Sequence, residues 1–427
     1  MHRESDKIYF PGLNGIRFLG AAAIIFIHVE LAKVLLGSNA SESAMHALNA
    51  WGWVALNSFF VLSGFLISYL LLVEKARIGT VGIKNFYIRR MLRIWPLYYL
   101  LTFLGFFIFP RIAFFDVAYL SDQLGADFST KLALFLFLIP QFSTALFPPL
   151  PHISQLWSIG VEEQFYLVWP LCIRFSKNIL RTILIVMLAV VTGKACFFLL
   201  ANMFAQSVFF RSLAYVIALS RFECMLIGAT AAYLVFTKHG ILTLMYRAST
   251  LAISIVLLPL FLLVVPGSFI EGAALFGVPG LIINVLSALF FAVVIINVAT
   301  NPRSFLKLEN AALNYLGKIS YGIYMYHVVI VVFVIRAATH FGFGLPEHLG
   351  VVGGAGVFLA VLALTIAISA LSYKIFENPF INLKARFSKI ISGDLARIYE
   401  RNFLSARIPE SVVEHQPPLT ETATSSG

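Results

Sequence analysis

The sequence predicts an all-α fold: a polytopic integral membrane bundle of about ten transmembrane helices plus one re-entrant segment. Three observations carry this. First, 60% of the 427 residues are hydrophobic and only 12% are charged, against about 45–50% and about 25% in an average soluble domain. That apolar excess, with a mean hydropathy of +0.89, is more than one core can hide, so a water-soluble globule and a disordered chain are both excluded. Second, apolar runs long enough to cross a bilayer, about 17–25 residues, lie near 16–36, 51–73, 92–110, 156–173, 182–201, 212–236, 248–266, 278–298, 313–335 and 351–373. Third, with ten spans and a cytoplasmic amino terminus, 24 of the 31 Lys and Arg residues fall on the cytoplasmic side, as the positive-inside rule requires. The net charge of +11 thus speaks of topology rather than of nucleic acid.

Taken in order, the chain opens with MHRESDKIYFPGLNG, which lacks the apolar core and cleavage site of a signal peptide, so the first span is expected to be retained. The segment 131–147, KLALFLFLIPQFSTALF, is short and carries Pro140. If it crossed fully, every later loop would invert and the charge bias would vanish. It is therefore expected to be re-entrant or surface-lying, which membrane depth tolerates only where protein buries the backbone. Both termini should then be cytoplasmic. The basic residues outside the cytoplasmic set are Lys33, Arg111, Lys131, Lys194, Arg211, Arg221 and Arg336. A membrane domain over 1–388 and a cytoplasmic tail over 389–427, disordered toward its PPLTETATSSG end, complete the organisation. Cys172, Cys196 and Cys224 lie in apolar runs without ligand spacing and read as small buried hydrophobes. No cluster offers the three or four ligands that a metal would need.

Ionisable groups inside spans are costly and mark candidate sites. Arg17 and His28 are eleven residues apart, about 20° past three helical turns, so they share one face about 16 Å apart along the axis. A cation at the rim and an acid/base group at mid-membrane suit a long phosphate-bearing ligand, and a snorkelling Arg with a core His fits the spacing equally well. In NFYIRRMLRIWPLYYL, Arg90 and Arg93 are three apart and could clamp phosphate. Arg89 with Arg93 would serve almost as well, and an ordinary positive-inside cluster reads the same way. Glu162 and Glu163, in LWSIGVEEQFYLVWP, could take a proton or bind a sugar hydroxyl, or could pair with Arg221 or Lys194. Arg221 and Glu223, two apart in SRFECMLIG, point to different faces and should have different partners. Ser320, Tyr324 and His327 form one polar stripe that must face protein or a water-filled cavity. Glu377 marks the exit of the last span.

Together these segments resemble the acyltransferase-3 family of integral membrane acyltransferases. The matching pieces are PGLNGIRFLGAAAIIFIH, SFFVLSGFLI, FYIRRMLRIWPLYY, LWSIGVEEQFYLVWP, SRFECMLIG, ISYGIYMYH and FENP, in the family's order from residue 10 to about 381. The resemblance implies transfer of an acyl group, usually acetyl, from cytoplasmic acyl-CoA to a hydroxyl of a carbohydrate or glycolipid acceptor such as a cell-envelope polysaccharide. It implies a place in the bacterial inner membrane. By the same likeness His28 matches the catalytic histidine, Arg17 the donor-associated arginine, Arg90 and Arg93 the second arginine pair, and Glu162 the usual glutamate, with Glu163 as second choice. Glu223 stands where relatives often have aspartate. Relatives often carry a further soluble hydrolase-like domain, which is not expected here.

The chemistry expected is general-base action by neutral His28 on the acceptor hydroxyl, or an acyl-histidine intermediate. Tyr324 and His327 are placed at the thioester oxyanion or the acceptor, and Glu163, Arg221, Glu223 and Ser320 are assigned to substrate binding. The rival of another class is a transporter or flippase using the same intramembrane charges. Arginines at a helix end aligned with a mid-membrane His have no evident use in a generic carrier.

Overall fold

The computed structural model describes residues 8–35, 42–115, 125, 127–264, 277–342 and 350–387. The expected tail at 389–427 lies outside the described residues. From Phe10 onward those described belong to one compact unit, Phe10–Lys389, which is helical with no β-strand among its described residues. In chain order the helices are α1 (Leu13–Leu35), α2 (Glu42–Ile78), α3 (Ile83–Phe103), α4 (Phe128–Leu136), α5 (Pro140–Leu146), α6 (Leu156–Phe175), α7 (Ile179–Met203) and α8 (Val208–Leu219). They continue as α9 (Phe222–Phe236), α10 (Ala248–Val264), α11 (Val278–Thr300), α12 (Ala311–Lys318), α13 (Ser320–His340), α14 (Gly350–Ser372) and α15 (Asn378–Lys384).

Over its described residues, each expected apolar run is mostly helical. Eight stretches are long and apolar enough to cross a membrane, making the chain a polytopic membrane bundle. The two expected spans outside that set have identifiable reasons. Helix α6 has spanning length but carries Glu162, Glu163 and Arg174; α10 has 17 described residues. The segment expected to be re-entrant folds as two helices, α4 of nine residues and α5 of seven, neither long enough to cross. Pro140 cannot continue a preceding helix, and Leu138 between them takes a positive φ of 59°.

Another break was not expected. The run 212–236 is one apolar stretch in sequence, but α8 ends and Ser220 turns extended before α9 begins. A carbonyl freed at membrane depth needs a donor. Lys194 Nζ on α7 supplies it, donating to the Ser220 carbonyl oxygen at 2.5 Å. The cysteine reading also needs correction. Cys224 is buried, but Cys196 is exposed on α7, where lipid rather than protein would cover a small apolar side chain.

Helices α2 and α9 cross at close backbone approach. Lipid tails are as apolar as the side chains, so membrane helices associate through close backbone approach at small residues. A Cβ on Gly228 would sit 2.1 Å from the Val61 carbonyl oxygen, and one on Gly64 would sit 2.0 Å from that of Met225. Backbone cannot yield as a side-chain tip can. Gly228→Val is therefore expected to cost about 3 kcal/mol or more, read as a lower unfolding midpoint in detergent. Gly193→Ala, with nothing within 4 Å of the added carbon, should leave the midpoint unchanged; equal midpoints for both variants would contradict the packing account.

Candidate active site

Two polar regions meet at a pair of histidines. The first lies toward the end of the bundle where α3 begins and α6 finishes, and it gathers the arginines. Arg89 is committed locally, donating to Glu74 Oε2 at 3.1 Å and to the Phe387 carbonyl at 2.9 Å. That removes it from the choice the spacing left open. Arg90 instead lies over the rings of Phe86 and Tyr166, 5.6 and 5.7 Å from their centroids. Its Nε is buried without a hydrogen-bond partner. Arg93 lies over Tyr321 at 5.7 Å, and neither Arg90 nor Arg93 has an ion pair among the described residues. Arg17 on α1 donates to Asn14 Oδ1 at 3.1 Å.

The paired glutamates belong to this region, not to the opposite end. Glu162 accepts from Ser63 at 2.8 Å and from Tyr166 at 2.9 Å, within the electrostatic reach of Arg90 and Arg17. Glu163 accepts from the Trp95 indole at 2.9 Å, and its other oxygen is buried without a partner. The alternative reading, a pair with Lys194 or Arg221, finds no ion pair among the described residues. Lys194 binds Glu223 at 2.9 Å, and Glu223 also accepts from Asn284 at 3.2 Å. This ion pair is fully enclosed, with Glu223 at 0% and Lys194 at 6% exposure. Glu223, expected to bind substrate, is thus held by Lys194 and Asn284. Arg221 has a different partner, as expected from its spacing: it lies 5.0 Å from the Trp53 ring centroid. Ser320 is buried at the start of α13, and Glu377 is buried in a π turn over Tyr373–Glu377, near Arg93.

The second region is a cavity of about 390 Å³. Its walls include His28, Trp53, Gln155, Trp157, Tyr215 and Tyr324. Aromatic faces with a few polar groups are the common lining of a ligand site. Gln155 donates to the Met325 carbonyl at 2.6 Å and leaves its Oε1 without a partner. The Tyr324 hydroxyl is within 2.7 Å of Ser158 Oγ and 3.2 Å of the Gln155 carbonyl, so it fixes the start of α6 while its ring forms cavity wall.

Between the two regions, His327 Nε2 lies 3.2 Å from His28 Nδ1. The tautomers follow from the partners. His28 Nδ1 is also 3.0 Å from the Ile24 carbonyl, and His327 Nδ1 is 2.5 Å from that of Tyr324. Carbonyls only accept, so each Nδ1 carries hydrogen. His327 Nε2 then accepts from His28 Nδ1–H, and both nitrogens of His327 are engaged. His28 Nε2 is left with a bare lone pair on a ring that lines the cavity.

The fold therefore places His28 and Tyr324 in the cavity wall, with His327 behind His28, and gathers Arg17, Arg90, Arg93, Glu162 and Glu163 in the first region. Sequence reasoning missed Trp53, Gln155, Trp157 and Tyr215. Gln155 and Trp157 border the diglutamate motif, the only local signal available. Breaking the Lys194–Glu223 pair tests its structural character. Lys194→Met alone should destabilise by about 3–5 kcal/mol by stranding a buried carboxylate, and adding Glu223→Met should recover most of that in thermal unfolding. No recovery would show that the pair acts otherwise.

Comparison with known proteins places this geometry. Residues 10–374 match the family described as an acyltransferase domain. The chain is 26% identical over 385 residues to the O-acetyltransferase OatA of Staphylococcus aureus, covering 87% of this chain and 57% of that protein. It is 26% identical over 397 residues to a putative O-acetyltransferase of Staphylococcus aureus strain COL, with the same coverage of each. The chain thus spans 57% of the length of these curated relatives. No solved structure matches.

Proposed function

The chain belongs to the acyltransferase-3 family, and we propose on that footing that it is a membrane O-acyltransferase moving an acetyl group from acyl-CoA to a carbohydrate hydroxyl. The observation that carries this reading is His28, with one bare nitrogen, standing between an arginine cluster, in which Arg90 and Arg93 have no ion pair among the described residues, and an aromatic cavity. Arg17, Arg90 and Arg93 hold the phosphates of the donor, since guanidinium forks match phosphate oxygens. The acceptor sits in the cavity against aromatic walls. We place the arginine end in the cytoplasm and both termini with it, in the cell membrane, with the acceptor presented outside.

His28 Nε2 takes the proton of the acceptor hydroxyl as its oxygen attacks the thioester carbonyl. The tetrahedral intermediate collapses, the carbon–sulfur bond breaks, and the departing thiolate takes the proton to leave as free CoA thiol. His327 is a positioning residue. Accepting from Nδ1–H, it fixes the tautomer of His28 and supports the positive charge that develops on it, as the partner of a catalytic histidine does in other acyl transfers.

Purified protein with radiolabelled acetyl-CoA and a glycan panel tests the assignment. His28→Ala should lower transfer about 10²–10⁴-fold, the usual worth of a general base; equal transfer by both proteins would remove His28 from the mechanism. His327→Ala should lower kcat with little change in the donor KM and shift the pH profile of transfer, whereas a residue that only packs would leave that profile in place. Arg90→Ala combined with Arg93→Ala should raise the KM for acetyl-CoA, by about tenfold or more if each loses a charge-assisted contact of about 1.5–3 kcal/mol. An unchanged value would sink the clamp.

A further inference from the structure

Resting on the reading of the cavity as the acceptor's seat, we infer that the acceptor carries a negative charge, a carboxylate or a phosphate ester on the glycan, and that Arg336 binds it. Three observations converge. The lining of the cavity contains no Asp or Glu, and beyond the tyrosines its ionisable members are His28 and Arg336. Arg336 lies on the same stripe of α13 as Tyr324, Val328 and Val332, all of which line the cavity. Its Nε donates to the Phe114 carbonyl at 3.2 Å, and its two terminal nitrogens have no partner among the described residues.

The third observation lies behind the wall. Arg221 is 2% exposed, and its Nε and Nη1 are buried without hydrogen-bond partners. It is stacked on Trp53, one of the lining residues, and its charge reaches Tyr215, another of them. The neighbouring carboxylate that could neutralise it, Glu223, is held by Lys194. Two guanidinium charges thus surround one cavity with no acid among its lining residues, in surroundings where fields are weakly screened. Arg221 and Lys194 share one nearby carboxylate, Glu223, whose ion pair is with Lys194; the remaining buried positive charge is costly, and a neutral sugar would do nothing to offset it. An anion would, through the planar fork of Arg336 directly and through the field of Arg221 across Trp53. Arg336 lies nine residues beyond His327, about 14 Å along the helix. The charge therefore belongs on a glycan unit next to the one whose hydroxyl reaches His28.

The test uses the full chain in nanodiscs with radiolabelled acetyl-CoA and matched acceptors: a polyuronate oligosaccharide, its carboxyl-reduced neutral form, and a phosphate-substituted counterpart that separates carboxylate from phosphate recognition. Wild type should show a kcat/KM about tenfold or more higher for a charged acceptor than for the neutral one, shrinking as salt rises. Arg336→Gln should collapse that ratio toward one through KM, and Arg336→Lys should keep most of it. Should the Gln variant fail to fold, calorimetric binding of charged and neutral oligosaccharides to wild type without donor reads the same preference. Equal transfer to charged and neutral acceptors, still dependent on His28, overturns the inference and leaves the proposed reaction standing. No His28-dependent transfer to any acceptor overturns both.

Discussion

A charge within hydrocarbon has no water to retreat to, and the rest of this structure follows from how each one is accommodated. Lys194 and Glu223 neutralise each other, and Arg89 and Glu74 do the same at the bundle end. Arg90, Arg93 and Arg221 take a second course, resting on aromatic faces instead of acids. Such stacking offsets part of the cost of a cation while leaving its hydrogen-bonding edge unspent. Glu162 and Glu163 are held by hydroxyl and indole donors and act on the arginines beside them through space rather than through direct ion pairs. The outcome is a bundle whose paired charges maintain its shape and whose stacked charges are available to a ligand.

The same constraint explains where helices break. Irregular backbone at depth must be satisfied by protein, and each interruption here has its own answer. Lys194 serves the Ser220 carbonyl while also holding Glu223, so one ammonium group secures both the α8–α9 break and the ion pair beneath it. The π turn at Tyr373–Glu377 brings Glu377 close to Arg93, an instance of the tendency of such turns to gather at functional sites.

The two histidines are the point at which the arginine region and the cavity communicate. Their hydrogen-bond partners set a single tautomer for each ring, which is what the proposed role of His28 as a base requires. Membership of the acyltransferase-3 family makes acyl transfer, rather than carriage of a solute, the chemistry we propose for that arrangement. An asymmetric site, cationic on one side of the base and aromatic on the other, also fits a reaction whose two substrates differ in size and charge.

Much of this was legible from composition and period. The amount of apolar sequence demanded a bilayer, the run lengths located the helices, and Arg17 and His28 could be put on one face because helical period is a local property. Residue types likewise marked Glu162, Arg221, Tyr324 and His327 as buried polar groups in need of partners. The partners themselves were not legible. His28 and His327 are 299 positions apart, Lys194 reaches Glu223 across two helices, and Glu74 alone removes Arg89 from the choice that spacing left open. The break at Ser220 was equally hidden, because the run around it is uninterrupted in hydrophobicity. The sequence by itself determined which faces are polar and where the apolar runs lie; only the tertiary structure decided where those runs break and what stands opposite each polar face. Side-chain periodicity is set within a few residues of chain, whereas ion pairs, tautomers and cavities arise from helices that close packing brings together from distant parts of it.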